Sequence, residues 1–298
     1  MDPIRFQEVW RGYRGVPVLK GLDFAVPKGS ITAFVGRNGS GKTTAIKCML
    51  GLLRTERGLL YVLGRQVSNL DIETLQRIGY LSERPMLDQR WRVCQALELS
   101  RMLNPRWDEA LEASLLDRLD LDPRFPIAAL SLGQTRKLGL VIALAARPEL
   151  LVLDEPAGNL DVVVRREFLD AVLELFRSEG MTVLLSTHLL NEAERIADRV
   201  VFLEGGRCQL DQNLDDLKDS VKALRIAPRN GAVLAAPQIE GTLLRRQAGR
   251  EWLVTVQGFR QELVARLEGE LNAFVEVRDL NLEDIFIACT LHAQEATP

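Results

Sequence analysis

Residues 36–43 carry the residue types that bind phosphate: several glycines, followed by Lys42 and Thr43. The stretch follows an apolar run at residues 31–35 and precedes apolar residues of helical spacing that begin at Ala45. Glycines let backbone N–H groups curl around phosphate oxygens, and the start of the next helix adds partial positive charge. Lys42 can reach phosphate oxygens, and the Thr43 hydroxyl can coordinate Mg²⁺. The stretch therefore predicts a strand, a phosphate-binding loop (P-loop) and a helix.

Two carboxylates, Asp154 and Glu155, directly follow a second apolar run at residues 150–153. A continuous apolar run is typical of a strand buried on both faces of a parallel sheet, and ligand groups collect at the carboxyl ends of such strands. Asp154 is therefore expected to face Mg²⁺ beside the P-loop, and Glu155 to polarise an attacking water. A solvated acidic turn is the alternative interpretation.

Three further polar residues stand where a ligand could reach them. Glu83 follows a short predicted strand at residues 78–81. His188 ends a buried one at residues 181–187, from where it could hydrogen-bond a phosphate. Ser131 is a candidate cap of a helix whose free N–H groups could bind an anion, although a plain capped helix is the alternative.

The surrounding pattern predicts a first domain over residues 1–217. It begins with short strands at residues 4–35, where Tyr13 could either stack on an adenine ring or be an ordinary half-buried strand residue. A mostly helical subdomain is predicted over about residues 88–146, because apolar residues recur there at helical spacing. The last strand of this domain is predicted at residues 200–203.

Residues 218–298 are predicted to form a small α/β accessory domain. The pattern predicts a strand, a hairpin around Gly249, a helix, a second strand and a final helix, with a loop at residues 228–237. We find no catalytic constellation in this stretch. It could hold a partner, a dimer mate or a regulator, or simply cover the main domain, and we favour dimerisation or regulation.

Composition narrows the possible classes of protein. The 298 residues are 47% hydrophobic, which is enough for one large or two smaller cores, and the net charge of −3 gives no general attraction to nucleic acid. The four cysteines are far apart and indicate neither a disulfide framework nor a metal site. The N-terminus lacks a signal-peptide pattern, and no apolar run reaches the roughly 18 residues that span a bilayer. We therefore expect any membrane part to be another polypeptide.

Taken together, these stretches resemble the ATP-binding cassette (ABC) family over about residues 4–210. Residues 36–43 resemble its Walker A loop, 150–155 its Walker B strand with the catalytic glutamate, 130–134 its signature and 159–161 its D-loop. Glu83, His188 and Tyr13 stand at the positions of its Q-loop, its switch histidine and its adenine-stacking aromatic residue. The resemblance implies an α/β fold: an ABC-type P-loop NTPase domain with a RecA-like core, an antiparallel β-subdomain and a helical subdomain, followed by a small C-terminal α/β appendage.

The resemblance also implies ATP hydrolysis, with ATP and Mg²⁺ as the bound groups. The implied catalytic residues are Glu155, His188 and Lys42. The implied Mg²⁺ ligands are Thr43, Glu83 and Asp154. The implied ATP-binding residues are Tyr13, Gly36, Arg37, Asn38, Gly39, Ser40, Gly41, Lys42, Thr43, Thr44, Ser131, Gly133, Gln134 and Asp161.

Two positions depart from the family pattern. Leu132 replaces the first glycine of the usual signature, but Ser131 and Gly133 remain, so we expect that site to work. Glu83 replaces the usual glutamine, which keeps an Mg²⁺ ligand but adds negative charge near the phosphates. We expect this charge to retune the switch.

In the family, two cassettes close head-to-tail over two ATP molecules, so a single copy needs a second ABC subunit, identical or paralogous. The stretches at 107–121, 130–134 and 282–286 resemble the bacterial type-2 exporter branch. That resemblance implies an integral-membrane permease partner, a peripheral position on the cytoplasmic face of the membrane and export of an unspecified cargo. The net charge leads us to expect no nucleic-acid partner. The alternatives are a soluble ABC ATPase without a transport role, for example of the iron–sulfur assembly type, and a regulatory protein that binds ATP without turnover.

Overall fold

The structure, a computed structural model, describes residues 2–156, 158, 162–229 and 234–295. The chain divides into two compact units. The first comprises Met1–Leu189 and Ile196–Asp211, and the second comprises Leu190–Arg195 and Gln212–Pro298. The division into two units is not a single cut in the sequence, because residues 190–195 group with the second unit. The predicted domain boundary at residue 217 therefore stays a prediction.

The strands and α-helices of the described residues are numbered in chain order. The strands are β1 (Ile4–Tyr13), β2 (Val16–Val26), β3 (Ile31–Val35), β4 (Arg57–Val62), β5 (Arg65–Gln66), β6 (Ile78–Leu81), β7 (Leu150–Asp154), β8 (Thr182–Thr187), β9 (Arg199–Glu204), β10 (Arg207–Asn213), β11 (Val221–Pro228), β12 (Thr242–Ala248), β13 (Glu251–Gln257) and β14 (Ala273–Asp279). The helices are α1 (Lys42–Met49), α2 (Ile72–Gln76), α3 (Val93–Leu103), α4 (Glu109–Arg118), α5 (Leu132–Ala145), α6 (Val162–Glu179), α7 (Leu190–Ile196), α8 (Leu214–Ser220), α9 (Glu262–Leu271) and α10 (Leu282–Glu295).

A six-stranded sheet in the order β10-β9-β3-β8-β7-β6 forms the centre of the first unit. The neighbours from β9 to β6 pair in parallel. Consecutive residues of a strand point to opposite faces, so Leu151 and Leu153 of β7 join one buried cluster while Leu150 and Val152 join another. The sheet is therefore buried on both faces, as the continuous apolar runs predicted.

The two faces of this sheet are covered differently. An antiparallel sheet in the order β2-β1-β4-β5 belongs to one cluster, where the rings of Phe6, Phe24 and Phe34 stack with centroids 4.6 and 5.1 Å apart. The helical subdomain, with α3, α4 and α5, packs in the other cluster through residues such as Leu115 and Leu138. This arrangement confirms the RecA-like core with a β-subdomain and a helical subdomain.

The prediction that residues 200–203 form the last strand of this body was wrong. After the turn at Gly205 and Gly206, β10 returns along the edge of the same sheet. Its residues are half-buried or exposed, so an edge strand of this kind carries no apolar run that could reveal it. Gly206 has φ 83°, and a Cβ there would meet the Val18 carbonyl oxygen at 2.0 Å, so this turn needs glycine.

The second unit is built on an antiparallel sheet in the order β12-β13-β11-β14. Leu224 and Ile226 of β11 pack with Val254 and Val256 of β13 and with Leu267 of α9. The predicted hairpin is present, with Ala248 and Glu251 paired across its turn. In this unit α7 is attached through Glu194, whose carboxylate accepts from Lys218 Nζ at 2.7 Å and from the Leu282 N–H at 3.1 Å.

Within the described part of the chain, no helix is both long enough and apolar enough to cross a bilayer. This agrees with the sequence, in which no apolar run reaches that length.

Candidate functional site

The P-loop joins the end of β3 to the start of α1. Gly41 precedes α1 with φ 113°, and a Cβ there would meet Leu19 Cδ2 at 2.9 Å. A Cβ on Gly36 would meet the Leu203 carbonyl oxygen at 2.4 Å. Both positions therefore require glycine. The loop that these glycines form leads into the start of α1, where free backbone N–H groups favour an anion.

Lys42, the first residue of α1, is buried at the centre of the site. Its Nζ donates to the Gly36 carbonyl oxygen at 2.7 Å and lies 3.1 Å from Glu155 Oε1. The second contact is an ionic one, since Oε1 makes no geometrically defined hydrogen bond. The ammonium group is thus held between the P-loop and the residue that follows β7.

Asp154, at the end of β7, is the buried carboxylate of the site. Its Oδ1 accepts from Thr43 Oγ1 at 3.2 Å and from Ser186 Oγ at 3.1 Å. Burial raises the pKa of Asp154, these two hydrogen bonds oppose the rise, and the charges of Glu155 and Glu83 add to it. A nearby cation would relieve this cost, and a carboxylate beside a hydroxyl is an oxygen donor set that suits Mg²⁺.

Glu155 holds a backbone conformation that L-residues rarely adopt. Its φ is 49°, and its N–H donates to the Ser186 carbonyl oxygen at 3.0 Å. Glu155 Oε2 lies 2.7 Å from His188 Nδ1, and the side chain is almost fully buried. Strained conformations of this kind are kept where the surroundings hold a side chain in place for a function.

Lys42, Thr43, Glu155 and His188 line one cavity of about 570 Å³. Asp154 is not among its lining residues, but it is hydrogen-bonded to Thr43, which is. Its lining residues are Val18, Asn38, Gly39, Gly41, Lys42, Thr43, Thr44, Glu83, Arg136, Glu155, Gly158 and His188. The cavity combines P-loop backbone, a buried lysine, a hydroxyl, two acidic residues and a histidine. It can accept a polyphosphate with a metal ion and place a carboxylate beside the terminal phosphate.

Several predicted ATP-binding residues lie outside this lining. Gly36, Arg37 and Ser40 belong to the P-loop backbone, where the Ser40 N–H donates to the Arg37 carbonyl oxygen at 3.1 Å. Tyr13 is exposed at the end of β1, with the guanidinium of Arg11 5.1 Å from its ring centroid. Asp161, with Asn159 and Leu160 of the predicted D-loop, lies outside the described residues.

The predicted signature residues begin α5 and do not line the cavity of their own chain. Ser131 Oγ accepts from the Gln134 N–H at 3.1 Å, and Gln134 Oε1 accepts from the Ser131 N–H at 3.0 Å. Both bonds form a capping box, so the cap predicted at Ser131 is present. Leu132 is exposed beside it.

Arg136 and Val18 line the cavity but were not among the predicted site residues. Arg136 lies on α5, two residues beyond Gln134, the last residue of the predicted signature. Sequence spacing carries no signal for it, because its contacts are with backbone carbonyls far away in the chain.

Comparison with known proteins agrees with this geometry. The model of the ABC transporter family matches residues 19–158. Nod factor export ATP-binding protein I of Burkholderia orbicola (strain AU 1054) is 32% identical over 295 residues, or 97% of each chain. Aliphatic sulfonates import ATP-binding protein SsuB of Pseudomonas putida is 39% identical over 202 residues, covering 66% of this chain and 72% of the relative.

A solved structure of the ATP-binding subunit of an ABC transporter superimposes with a TM-score of 0.67 at 30% identity. The match covers 72% of this chain and 92% of that chain. The present chain therefore belongs to the ATP-binding subunits of ABC transporters, which are ATPases built on the P-loop fold.

Proposed function

We propose that this ABC ATPase hydrolyses ATP in the cavity between the P-loop, Glu155 and His188. The observation that carries the proposal is that two side chains converge on the buried carboxylate of Glu155. Lys42 Nζ lies 3.1 Å from its Oε1, and His188 Nδ1 lies 2.7 Å from its Oε2. Lys42 and His188 hold oxygens of the terminal phosphate, and Glu155 orients and polarises the attacking water. When Lys42 turns to the phosphates, Glu155 Oε1 becomes free to accept from that water.

Thr43 and Asp154 are the residues that would hold Mg²⁺, with Glu83 at the edge of the cavity as a further oxygen donor. Their oxygens suit a hard cation that is bound by few protein ligands together with substrate phosphates. The ion would supply charge neutralisation on the phosphates. The buried hydroxyl of Ser186 keeps Asp154 in place through Oδ1.

The ATP site is completed by a second ABC subunit. Ser131, Gly133 and Gln134 stand at the start of α5, where the capping box occupies the N–H groups of Ser131 and Gln134. The N–H groups of Leu132 and Gly133 are the ones that would meet an anion held by another cassette. The side chain of Leu132 is exposed beside them. Two ATP molecules that bridge two cassettes would favour the closed pair of cassettes. Hydrolysis would remove the bridging phosphates, and the pair would then open.

The closing and opening of the two cassettes would be transmitted to a separate integral-membrane subunit. The segment after Glu83 and helix α3 carry a set of exposed apolar side chains, which we call the apolar docking surface: Met86, Leu99, Met102 and Leu103. Met86 is 98% exposed and Met102 79%, and several exposed apolar side chains together are typical of an interaction surface. The chain would thereby be peripheral, on the cytoplasmic face of the membrane.

Export is the direction we favour. The Nod factor export relative matches 97% of this chain, second unit included, whereas the sulfonate import relative matches 66% of it. The cargo contacts would lie in the membrane subunit.

The second unit would serve dimerisation or regulation. Its helix α7 begins two residues after His188, and Glu194 of α7 is bonded to Lys218 and to the start of α10. Removal of residues 218–298 is expected to change ATP hydrolysis or the oligomer mass of the purified protein. Unchanged values of both would contradict this role.

Co-purification tests the transporter role. The tagged chain, extracted gently from native membranes, is expected to carry a polytopic membrane protein with it. The double substitution Met86→Glu and Met102→Glu should release that partner, whereas Phe274→Glu, at an exposed position of β14 in the second unit, should not. Recovery with soluble partners alone would instead favour an ABC ATPase of the iron–sulfur assembly type.

A further inference from the structure

Arg136 is a buried cation that has no carboxylate partner among the described residues. It lies on α5, five residues beyond Ser131, and is 1% exposed. It nevertheless lines the same cavity as Lys42 and Glu155. A buried guanidinium that forms no ion pair carries a desolvation cost, so its position calls for a physical reason.

Its donors hold two backbone carbonyls that are distant in sequence. Nε and Nη2 of Arg136 both donate to the Glu83 carbonyl oxygen, at 3.2 and 3.1 Å. Nη1 donates to the Gly158 carbonyl oxygen. One side chain of α5 thus links the segment that leaves β6 to the segment that follows Glu155.

The planar shape of the side chain matters for this link. A guanidinium presents donors in a fixed fork, whereas a lysine ammonium is a point charge on a flexible chain. Burial lowers the pKa of Arg136, and the more distant charges of Glu83 and Glu155 oppose this effect. A polyphosphate in the cavity would add to the compensating negative charge.

We propose that Arg136 is a positioning residue that makes the segment at Glu83, the segment at Gly158 and α5 move as one body. Gly158 lies three residues after Glu155, and Glu83 faces the same cavity. A change at either segment is therefore passed to the other and to the signature at the start of α5. This inference rests on the ATPase activity of the family and is independent of the membrane partner.

Hydrogen–deuterium exchange with a non-hydrolysable ATP analogue, together with steady-state ATPase kinetics, tests the proposal on the full chain. The variants are Arg136→Lys, which keeps a buried cation without the fork, and Arg136→Met, which removes both. Lys137→Met is the matched control. Lys137 is a buried cation at the next position of α5, but its Nζ bonds the Leu119 carbonyl oxygen and Glu167, away from both segments.

Both Arg136 variants are expected to exchange faster, by about tenfold, in peptides that cover Glu83 and in peptides that cover Gly158. The kcat should fall roughly 10- to 100-fold, with the KM for ATP changed less than about threefold, because misplacement of the loops affects the transition state more than binding. Lys137→Met should accelerate exchange in neither segment.

Three outcomes would overturn the proposal. Faster exchange in only one of the two segments would show that Arg136 does not couple them. A loss of kcat that Lys137→Met reproduces would show a general effect of α5 stability. Failure of Arg136→Lys to fold would assign the side chain to folding, since that variant keeps the buried charge.

Discussion

Glu155 Oε2 lies 2.7 Å from His188 Nδ1, at the meeting point of the segments that follow β7 and β8. This contact orients the imidazole, so Nε2 is the ring nitrogen left to contact a phosphate oxygen. The pair therefore combines a polarising carboxylate with a phosphate-binding imidazole. Lys42, 3.1 Å from the other carboxylate oxygen, completes the set.

Substitution of His188 should impair turnover more than binding. His188→Ala removes the phosphate donor, and kcat is expected to fall roughly 100-fold while the Kd for ATP changes less than about threefold. His188→Gln keeps an amide donor and should retain more activity than alanine. Steady-state ATPase assays and nucleotide titrations measure both quantities; a kcat within threefold of wild type for His188→Ala would exclude the proposed role.

Asp154→Asn should weaken the dependence on Mg²⁺. The buried carboxylate offers its charge to a cation, so its loss is expected to raise the half-saturating Mg²⁺ concentration by more than about tenfold. Ser186→Ala is the matched control, because it removes a hydrogen bond to Oδ1 and keeps the charge. Equal Mg²⁺ titrations for wild type and Asp154→Asn would place the metal elsewhere.

Glu83→Gln should tighten nucleotide binding. Glu83 lines the cavity, and its charge contributes to the raised pKa of Asp154. Loss of one negative charge near the phosphates is expected to lower the KM for ATP a few-fold, corresponding to about 1 kcal/mol. Glu83→Asp, which keeps the charge, serves as the control. Identical ATP and Mg²⁺ dependences for Glu83→Gln and wild type would refute the retuning of the switch.

Lowering the pH should reduce the contribution of the ion pairs around Glu149 to the stability of the fold. Arg77 donates to both oxygens of Glu149, at 2.9 and 2.7 Å, and Arg106 donates at 2.7 Å. The hydrogen bond from Arg77 is the main cause that lowers the pKa of Glu149 to about 2.

A lowered pKa stabilises the fold fully above the ordinary value near 4.5, and this stabilisation is lost as the pH falls toward about 2. Glu149→Gln should therefore cost about 1 kcal/mol at pH 7, a small value because the site is half-exposed. Thermal melts should show this difference shrinking as the pH falls from about 4.5 to about 2, that is, between the ordinary pKa of Glu149 and its lowered pKa in the fold. A difference that stays constant with pH would contradict the assignment.

Much of the fold could be predicted because its signals are local. The P-loop glycines, the apolar run before Asp154 and the turn around Gly249 each report on their own few residues, and the parallel sheet follows from them. The edge strand β10 was missed because half-exposed residues carry no apolar run. Arg136 was missed because its role depends on two carbonyls brought together only by folding.

Which predicted ATP-site residues share one cavity within a single chain could not be predicted from the sequence. Ser131 and Lys42 both belong to the predicted ATP site, but only Lys42 lines the cavity of its own chain. The sequence gives the order of the two motifs along the chain, but it does not give the distance between them in the folded protein. The family resemblance alone led to the expectation of a second subunit.

The rate of phosphate release from ATP by purified wild-type protein and by Glu155→Gln, with the Kd for ATP measured in parallel, tests the central claim most directly. Glu155→Gln keeps the shape of the side chain and removes the charge that polarises water. We predict a loss of kcat of roughly 100- to 1,000-fold with the Kd changed less than about threefold. Retention of more than about a third of the wild-type rate would contradict the assignment of Glu155 to the chemical step.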